Sequence, residues 1–322
     1  MHIPFYTAGR DFVLKKALYL FLFILIVTIA IPAVGLFLTE EKTIQQKEEA
    51  SPSVDVVRSD SKETESVLLE DYVVGVVAAE MPATFEKEAL KAQAVAARTF
   101  MLTQTLAGLK VTDTVNDQVF KDEEELKETW GTQFEENKQK IEEAAKETEG
   151  EVLVYNGEPI TAAFFSSGNG KTENAEEYWQ SPLPYLISVE SPWDEAAPNF
   201  EQDVVIPRAE VEDKLGVSLP KSGEVGTVTA RTAGGRVGEI QIDGKSFTGR
   251  EMRETLELPS ADFQMFVKGE NVVMTTKGYG HGIGMSQYGA NGMAKEGKKY
   301  TDIMTHYYPG TSIESVDNFL KK

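Results

Sequence analysis

Residues 17–38 read ALYLFLFILIVTIAIPAVGLFL, 22 uncharged and mostly apolar side chains in a row. As a helix rising about 1.5 Å per residue, this run is long enough to cross a hydrocarbon core of about 30 Å. Cleavable leaders have shorter apolar cores of roughly 7–15 residues, so the length predicts a retained transmembrane anchor. Arg10, Lys15 and Lys16 precede the run, and Glu40 and Glu41 follow it. That asymmetry puts residues 1–16 in the cytoplasm as a short tail and everything after residue 38 outside the membrane.

The chain of 322 residues carries a net charge of −20 and has no cysteine. The first 39 residues are net positive, which leaves about −22 for the remainder. So acidic a surface argues against nucleic acid as a partner and against close contact with anionic lipid, and fits a glycan or a basic protein better. Without thiols, the exported part has neither disulfide staples nor cysteine or zinc-thiolate chemistry. Residues 39–66 are polar, charged and poor in large apolar side chains, which predicts a disordered stalk. The folded, extracytoplasmic part is expected at residues 67–322.

Two helices are expected to open that part. In LLEDYVVGVVAAEM, Leu69, Val73, Val76, Val77 and Glu80 recur at helical spacing, placing an acid on or beside the apolar stripe. Pro82 ends this helix. Thr84 offers an N-cap oxygen for a second one, whose face is Phe85, Ala89, Ala92, Ala96 and Phe100. Residues 121–149 predict acidic surface helices with Trp130, Phe134 and Ile141 turned inward. Strand patterns follow, with a turn at Asn156-Gly157 and further turns at Gly234-Gly235 and Asp243-Gly244. The fold class is α+β, with mixed helices and antiparallel β-sheet, a smaller second lobe at about 200–264, and the N-terminal transmembrane helix before them.

Chemistry is sought first in two loops. Ser166–Gln180 contains Gly170-Lys171-Thr172, resembling a phosphate loop, but that motif needs glycine at position 165, where Phe165 stands. Its Ser166, Ser167, Asn169, Thr172 and Glu173 suit sugar hydroxyls or simply water. Gly278–Gly292 surrounds His281 with six glycines, beside Ser286 and Gln287, so His281 is a candidate for a substrate or supporting role. The three histidines form no H-E-x-x-H motif, and no G-x-S-x-G is present, which leaves carboxylate chemistry. Glu80 leads. Desolvation among Val76, Val77, Met81 and Pro82 would raise its pKa and keep it protonated as a general acid. A salt bridge to Arg98, packed back by the turn at Pro82, is the structural alternative.

Several stretches, taken in order, resemble the stage II sporulation protein D family. They are Glu80-Met81-Pro82, Glu88–Thr99, Phe165–Gly168 with Thr172-Glu173 and Trp179, Ser191–Asp194, Thr248–Arg253 and Gly280–Gln287. The resemblance runs from Leu68 to about Gly310. It implies a membrane-anchored lytic transglycosylase of peptidoglycan acting between mother cell and forespore during engulfment. Glu80 and Arg98 take the catalytic positions. Tyr185 and His281 would line the glycan groove, with Ser166, Ser167, Glu173 and Gln287 as further substrate-binding candidates. Some relatives carry a Cys/His zinc cluster near Asn116–Phe120; this chain has no such ligands, so neither metal nor other cofactor is expected.

A single carboxyl group suffices for the implied reaction, unlike ordinary glycosidases with their two carboxylates. The resemblance also implies a peptidoglycan amidase and a polytopic membrane protein as partners. The alternative from another class is a non-catalytic module that binds glycan or activates an amidase.

Overall fold

The computed structural model describes residues 52–179 and 181–320. The expected cytoplasmic tail and transmembrane anchor lie outside the described residues. Among the described residues, no helix is long and apolar enough to cross a membrane. Residues 53–322 form one compact unit.

The chain enters this unit earlier than its composition predicts. Strands β1 (Ser53–Val57) and β2 (Thr64–Leu68) pair antiparallel, with Ser53 opposite Leu68, and β3 (Val111–Thr112) adds in parallel on the other side of β1. The stalk expected to reach residue 66 therefore contains folded structure from Ser53 onward. Only Val54 and Val56 of β1 are buried, so the hydrophobic signal is two residues in a polar background.

Helix α1 (Leu69–Glu80) follows β2 without a linker, and α2 (Lys87–Leu106) follows after a short turn. Helix α2 is the centre of the main core. Ala89, Ala92, Ala94, Ala96 and Ala97 are fully buried, and such small side chains allow close helix approach. Helices α1, α4 (Phe134–Lys146), α8 (Gln287–Lys295) and α9 (Tyr300–Tyr307) all pack on it, as does strand β4 (Glu151–Tyr155). Helix α2 starts at Lys87, not at a Thr84 cap; its N-cap Glu86 has no side-chain cap, and the Glu86 N–H instead donates to Asn291 Oδ1 at 2.8 Å.

Helix α3 (Glu123–Trp130) opens with a capping box between Asp122 and Glu125, and with α4 forms the acidic pair predicted for 121–149. Phe134 and Ile141 are buried as expected, while Trp130 is partly buried against the core. Asn156 and Gly157 both take positive φ and turn β4 back onto β5 (Glu158–Pro159). Strand β15 (Ser312–Ser315) completes that sheet.

The second lobe has its own core, from Ile206 to Met274. It combines β7 (Glu201–Pro207), α6 (Arg208–Leu215), β8 (Gly223–Glu224), β9 (Thr227–Arg231), β10 (Val237–Ile242), β11 (Lys245–Thr248), α7 (Gly249–Thr255), β12 (Phe263–Lys268) and β13 (Asn271–Lys277). Two antiparallel sheets result, ordered β11-β10-β9 and β7-β13-β12-β8. The lobe therefore extends about ten residues beyond the expected 264, because β13 pairs with β7 along its full length.

Arg98 is fully buried, yet its partner is Glu70 and not Glu80. Nε and Nη2 of Arg98 donate to the two Glu70 carboxylate oxygens at 2.8 and 2.6 Å, and Nη1 reaches the Glu151 carbonyl at 3.1 Å. This forked pair ties α1, α2 and β4 together. Breaking a buried pair strands the remaining charge. Arg98→Met is expected to lower unfolding stability by about 3 kcal/mol, read as a shift of the urea midpoint with unchanged slope.

Candidate active site

Glu80 is the last residue of α1, and the final turn carries no basic side chain. Its carboxyl group thus sits at the negative end of the helix dipole. It is half-buried, and Oε1 accepts the Val119 N–H at 2.8 Å. Burial pushes its pKa above the ordinary carboxylate range, against the opposing pull of that hydrogen bond. Among the described residues no lysine or arginine forms an ion pair with Glu80.

The loop that supplies Val119 is fastened to α1 by packing that begins at Gly75. A Cβ at that position would lie 2.5 Å from Phe120 Cε2 and 2.6 Å from the Lys121 carbonyl, so glycine is what lets the loop lie on the helix. Phe120 then stacks on Tyr72 at 5.4 Å, and the Tyr72 hydroxyl donates to Gln118 at 3.2 Å. Asp117 holds the loop's entrance by accepting from Thr112 N and Oγ1 at 2.8 and 2.7 Å. Tyr72, Gln118 and Val119 were not expected around Glu80; a glycine in the middle of an apolar helix was the available signal. Among the described residues, no group of three His, Cys, Asp or Glu side chains is placed to hold a metal.

The remaining candidates gather elsewhere. Strand β6 (Phe164–Phe165) pairs in parallel with β14 (Met285–Ser286), and Ser167 exchanges both backbone hydrogen bonds with Tyr279. The serine loop and the glycine-rich run are therefore one structural unit. Their contact explains Gly284: it has φ +78°, and a Cβ would lie 2.0 Å from the Ala163 carbonyl. Ser166 is half-buried, its carbonyl accepting from Tyr288 N at 3.0 Å, and Ser167 is buried. Gln287 is buried and donates to Gln93 Oε1 at 3.4 Å. Tyr185 is buried against Tyr155, with its hydroxyl accepting from Thr161 N at 3.2 Å, so here it packs the core instead of lining a groove.

Glu173 is buried with both oxygens occupied. Oε1 accepts from Gly234 N at 2.8 Å, and Oε2 accepts from Thr232 Oγ1 and lies 3.6 Å from Arg236 Nη1. It joins the lobes. His281 likewise has Nδ1 accepting from the Ile283 N–H at 3.0 Å, with the Phe164 backbone engaging the ring too. Burial, with Arg253 and Arg236 nearby, lowers its pKa to about 4. Its ring lies among Phe165, Tyr178 and Trp179 at 5.8, 5.6 and 6.4 Å. His281 is half-buried, and its ring lines a small crevice with Tyr178, Arg236 and Arg253. No hydrogen bond, ion pair or ring contact joins Glu80 to this group among the described residues.

Comparison with known proteins bears on the family. Residues 57–155 match the family model described as Stage II sporulation protein. Stage II sporulation protein D of Bacillus subtilis (strain 168) is 50% identical over 85% of this chain and 82% of its own length. This chain belongs to the stage II sporulation protein D family. The protein of the same name from Bacillus amyloliquefaciens is 48% identical over the same shares. An amidase enhancer of Bacillus subtilis (strain 168) is 33% identical over 75% of this chain, matched along 40% of its own length. The family match thus covers the elements that build the Glu80 environment, from β2 to β4.

A second buried carboxyl, Asp194, accepts from Ser286 Oγ, and burial raises its pKa to about 6 despite bonds from Ser286, Ser191 and Gly168. Its folded pKa exceeds the ordinary value of about 3.9, so its contribution falls as pH rises from about 4 to 6. For His281, folded below its ordinary value of about 6.5, the contribution falls as pH drops from about 6.5 to 4. The two slopes oppose each other. Urea midpoints taken between pH 4.5 and 6.5 should rise with pH more steeply in Asp194→Asn than in the parent, and fall with pH in His281→Gln, each change being at most about 1.4 kcal/mol per pH unit.

Proposed function

We propose that the protein is a peptidoglycan lytic transglycosylase whose single acid-base group is Glu80. The observation that carries this reading is a half-buried carboxyl at a helix end, its pKa raised by burial and unpaired with any described cation. Such a group holds its proton to a higher pH than an ordinary carboxyl does, which is the direction a general acid requires. Membership of a sporulation family supports a cell-wall substrate.

In the proposed step Glu80 gives its proton to the glycosidic oxygen between N-acetylmuramic acid and N-acetylglucosamine, and the bond from the muramyl C1 to that oxygen breaks. The resulting carboxylate takes the proton of the muramyl 6-hydroxyl while O6 bonds to C1. A 1,6-anhydro ring results, Glu80 regains its proton and no water is consumed. The Val119 N–H stabilises the carboxylate in the interval between the two transfers. On this reading the chain is a single-pass membrane protein with its catalytic part in the space between mother cell and forespore. Its partners there are an amidase and a polytopic membrane protein of the engulfment machinery.

The 33% identity to an amidase enhancer favours one second reading, a glycan-binding activator without catalysis of its own. Muropeptide mass spectrometry separates the two. Glycan strands treated with the parent protein should yield 1,6-anhydro ends, reduced by about 10²-fold or more in Glu80→Gln with its melting transition retained. The rate should fall as pH rises through the raised pKa of Glu80. Reducing ends would indicate a hydrolase instead, and no release, with stimulation of an added amidase, would establish the activator.

A further inference from the structure

Arg58 follows β1 at the start of the hairpin turn, yet its side chain reaches the loop that serves Glu80. Nη2 donates to Asp122 Oδ2 at 3.2 Å and to Glu125 Oε2, Nε lies 3.5 Å from Asp113 Oδ2, and Cζ sits 5.1 Å from the Phe120 ring centroid. Asp113 opens that loop, Phe120 lies within it and Asp122 closes it. One cation therefore grips both ends and the middle. The grip is sheltered, with the Arg58 and Asp113 side chains 14% and 7% exposed. Isolated surface pairs contribute little to stability, whereas several acids sharing one sheltered cation form a network that does contribute. Nη1 is buried and makes no hydrogen bond, so the Phe120 ring is part of what offsets its burial.

Backbone groups reinforce the side chain. The Ser59 N–H donates to both Asp113 oxygens at 2.9 and 3.1 Å, and the Phe120 N–H reaches the Asp113 carbonyl at 3.4 Å. Asp122 divides its carboxylate: Oδ1 caps α3 by accepting from the Glu124 and Glu125 N–H groups, both at 2.9 Å, while Oδ2 takes Arg58. Hairpin turn, loop and helix start thus share one charge cluster. Val119, the donor to Glu80 Oε1, adjoins Phe120 in the chain. Without Arg58, Asp113, Asp122 and Glu125 would be left as like charges around one space, and their repulsion would part the two ends of the loop.

We infer that Arg58 is a positioning residue for Glu80, clamping residues 113–122 so that the Val119 N–H meets Glu80 Oε1. It makes no ion pair with Glu80 among the described residues and acts only through the loop. The hairpin turn in this way sets how well the Glu80 carboxylate is held between two proton transfers. The consequence for reaction rests on the reading of Glu80 as the acid-base group; the clamp itself does not.

NMR of the full chain in detergent micelles, with isotope-labelled valine, reads the Val119 amide directly. In the parent its resonance should move as Glu80 ionises, and Glu80→Gln should abolish the movement, which sets Glu80 apart from Asp117 on the same loop. Arg58→Met should remove most of this response and speed exchange of the Val119 amide about tenfold or more, with the melting transition retained. Arg58→Lys, which keeps the charge but not the planar fork, should fall between the two. Lys110→Met removes another cation at the same sheet, one that lies 3.8 Å from Asp55, and should change neither readout. In glycan digestion, kcat for anhydro-end formation should drop about tenfold in Arg58→Met with KM unchanged. No Val119 response in the parent, a parent-like response in Arg58→Met, or an equal loss in Lys110→Met would overturn the inference. If Arg58→Met does not fold, a parent-like response in Arg58→Lys would overturn it instead. Absence of anhydro ends from the parent would remove the catalytic reading alone, because the Val119 readouts are taken without substrate.

Discussion

One buried carboxylate, Glu173, holds the two cores in register. Its N–H donates to the Gly282 carbonyl at 2.8 Å, while its side chain takes the Gly234 N–H, the Thr232 hydroxyl and the charge of Arg236. Three segments far apart in sequence thus converge on one acid. The glycines at 234 and 282 are part of the same arrangement, since side chains there would collide with the Arg236 guanidinium. A charge withdrawn from water is tolerated when its partners are this complete. The serine loop and the glycine-rich run meet beside it, which is why their conspicuous composition serves architecture first.

Glu80 is built by a different logic. Where Glu173 is surrounded by donors, Glu80 has one backbone N–H and the unfavourable end of a helix. The contrast is one of support: Glu173 is surrounded by donors, whereas burial with a single backbone donor raises the pKa of Glu80. The loop at 113–121 supplies that sparse support. Phe120 and Gln118 of the loop pack with Tyr72 of α1 as a structural group.

Much of this was legible in the sequence where a period repeated. The helix ending at Glu80, the acidic helices with Phe134 and Ile141 inward, and the Asn156-Gly157 turn all followed from local pattern and turn chemistry. The partner of Arg98 was recoverable but was missed. Glu70 and Arg98 each lie about fourteen residues from the turn near residue 84, so an antiparallel helix pair sets them opposite one another, while Glu80 falls beside the turn. The hairpin at 53–68 was hidden by its polarity, because Val54 and Val56 are its only buried side chains. Nor could residue type alone show which distant groups reach Glu173 and His281, since that depends on how the lobes fold together.

That hairpin has a mechanical consequence. Ser53, where β1 begins, lies opposite Leu68, where the hairpin joins α1. Tension applied at Ser53 therefore acts across the open end of the ladder and separates its rungs in succession, a low-force mode compared with sliding all of them together. Paying out β1, the turn and β2 would release roughly 50 Å of extended chain at about 3.4 Å per residue before the load reached the helix that carries Glu80. The hairpin is in this sense a spring placed ahead of the helix that carries Glu80.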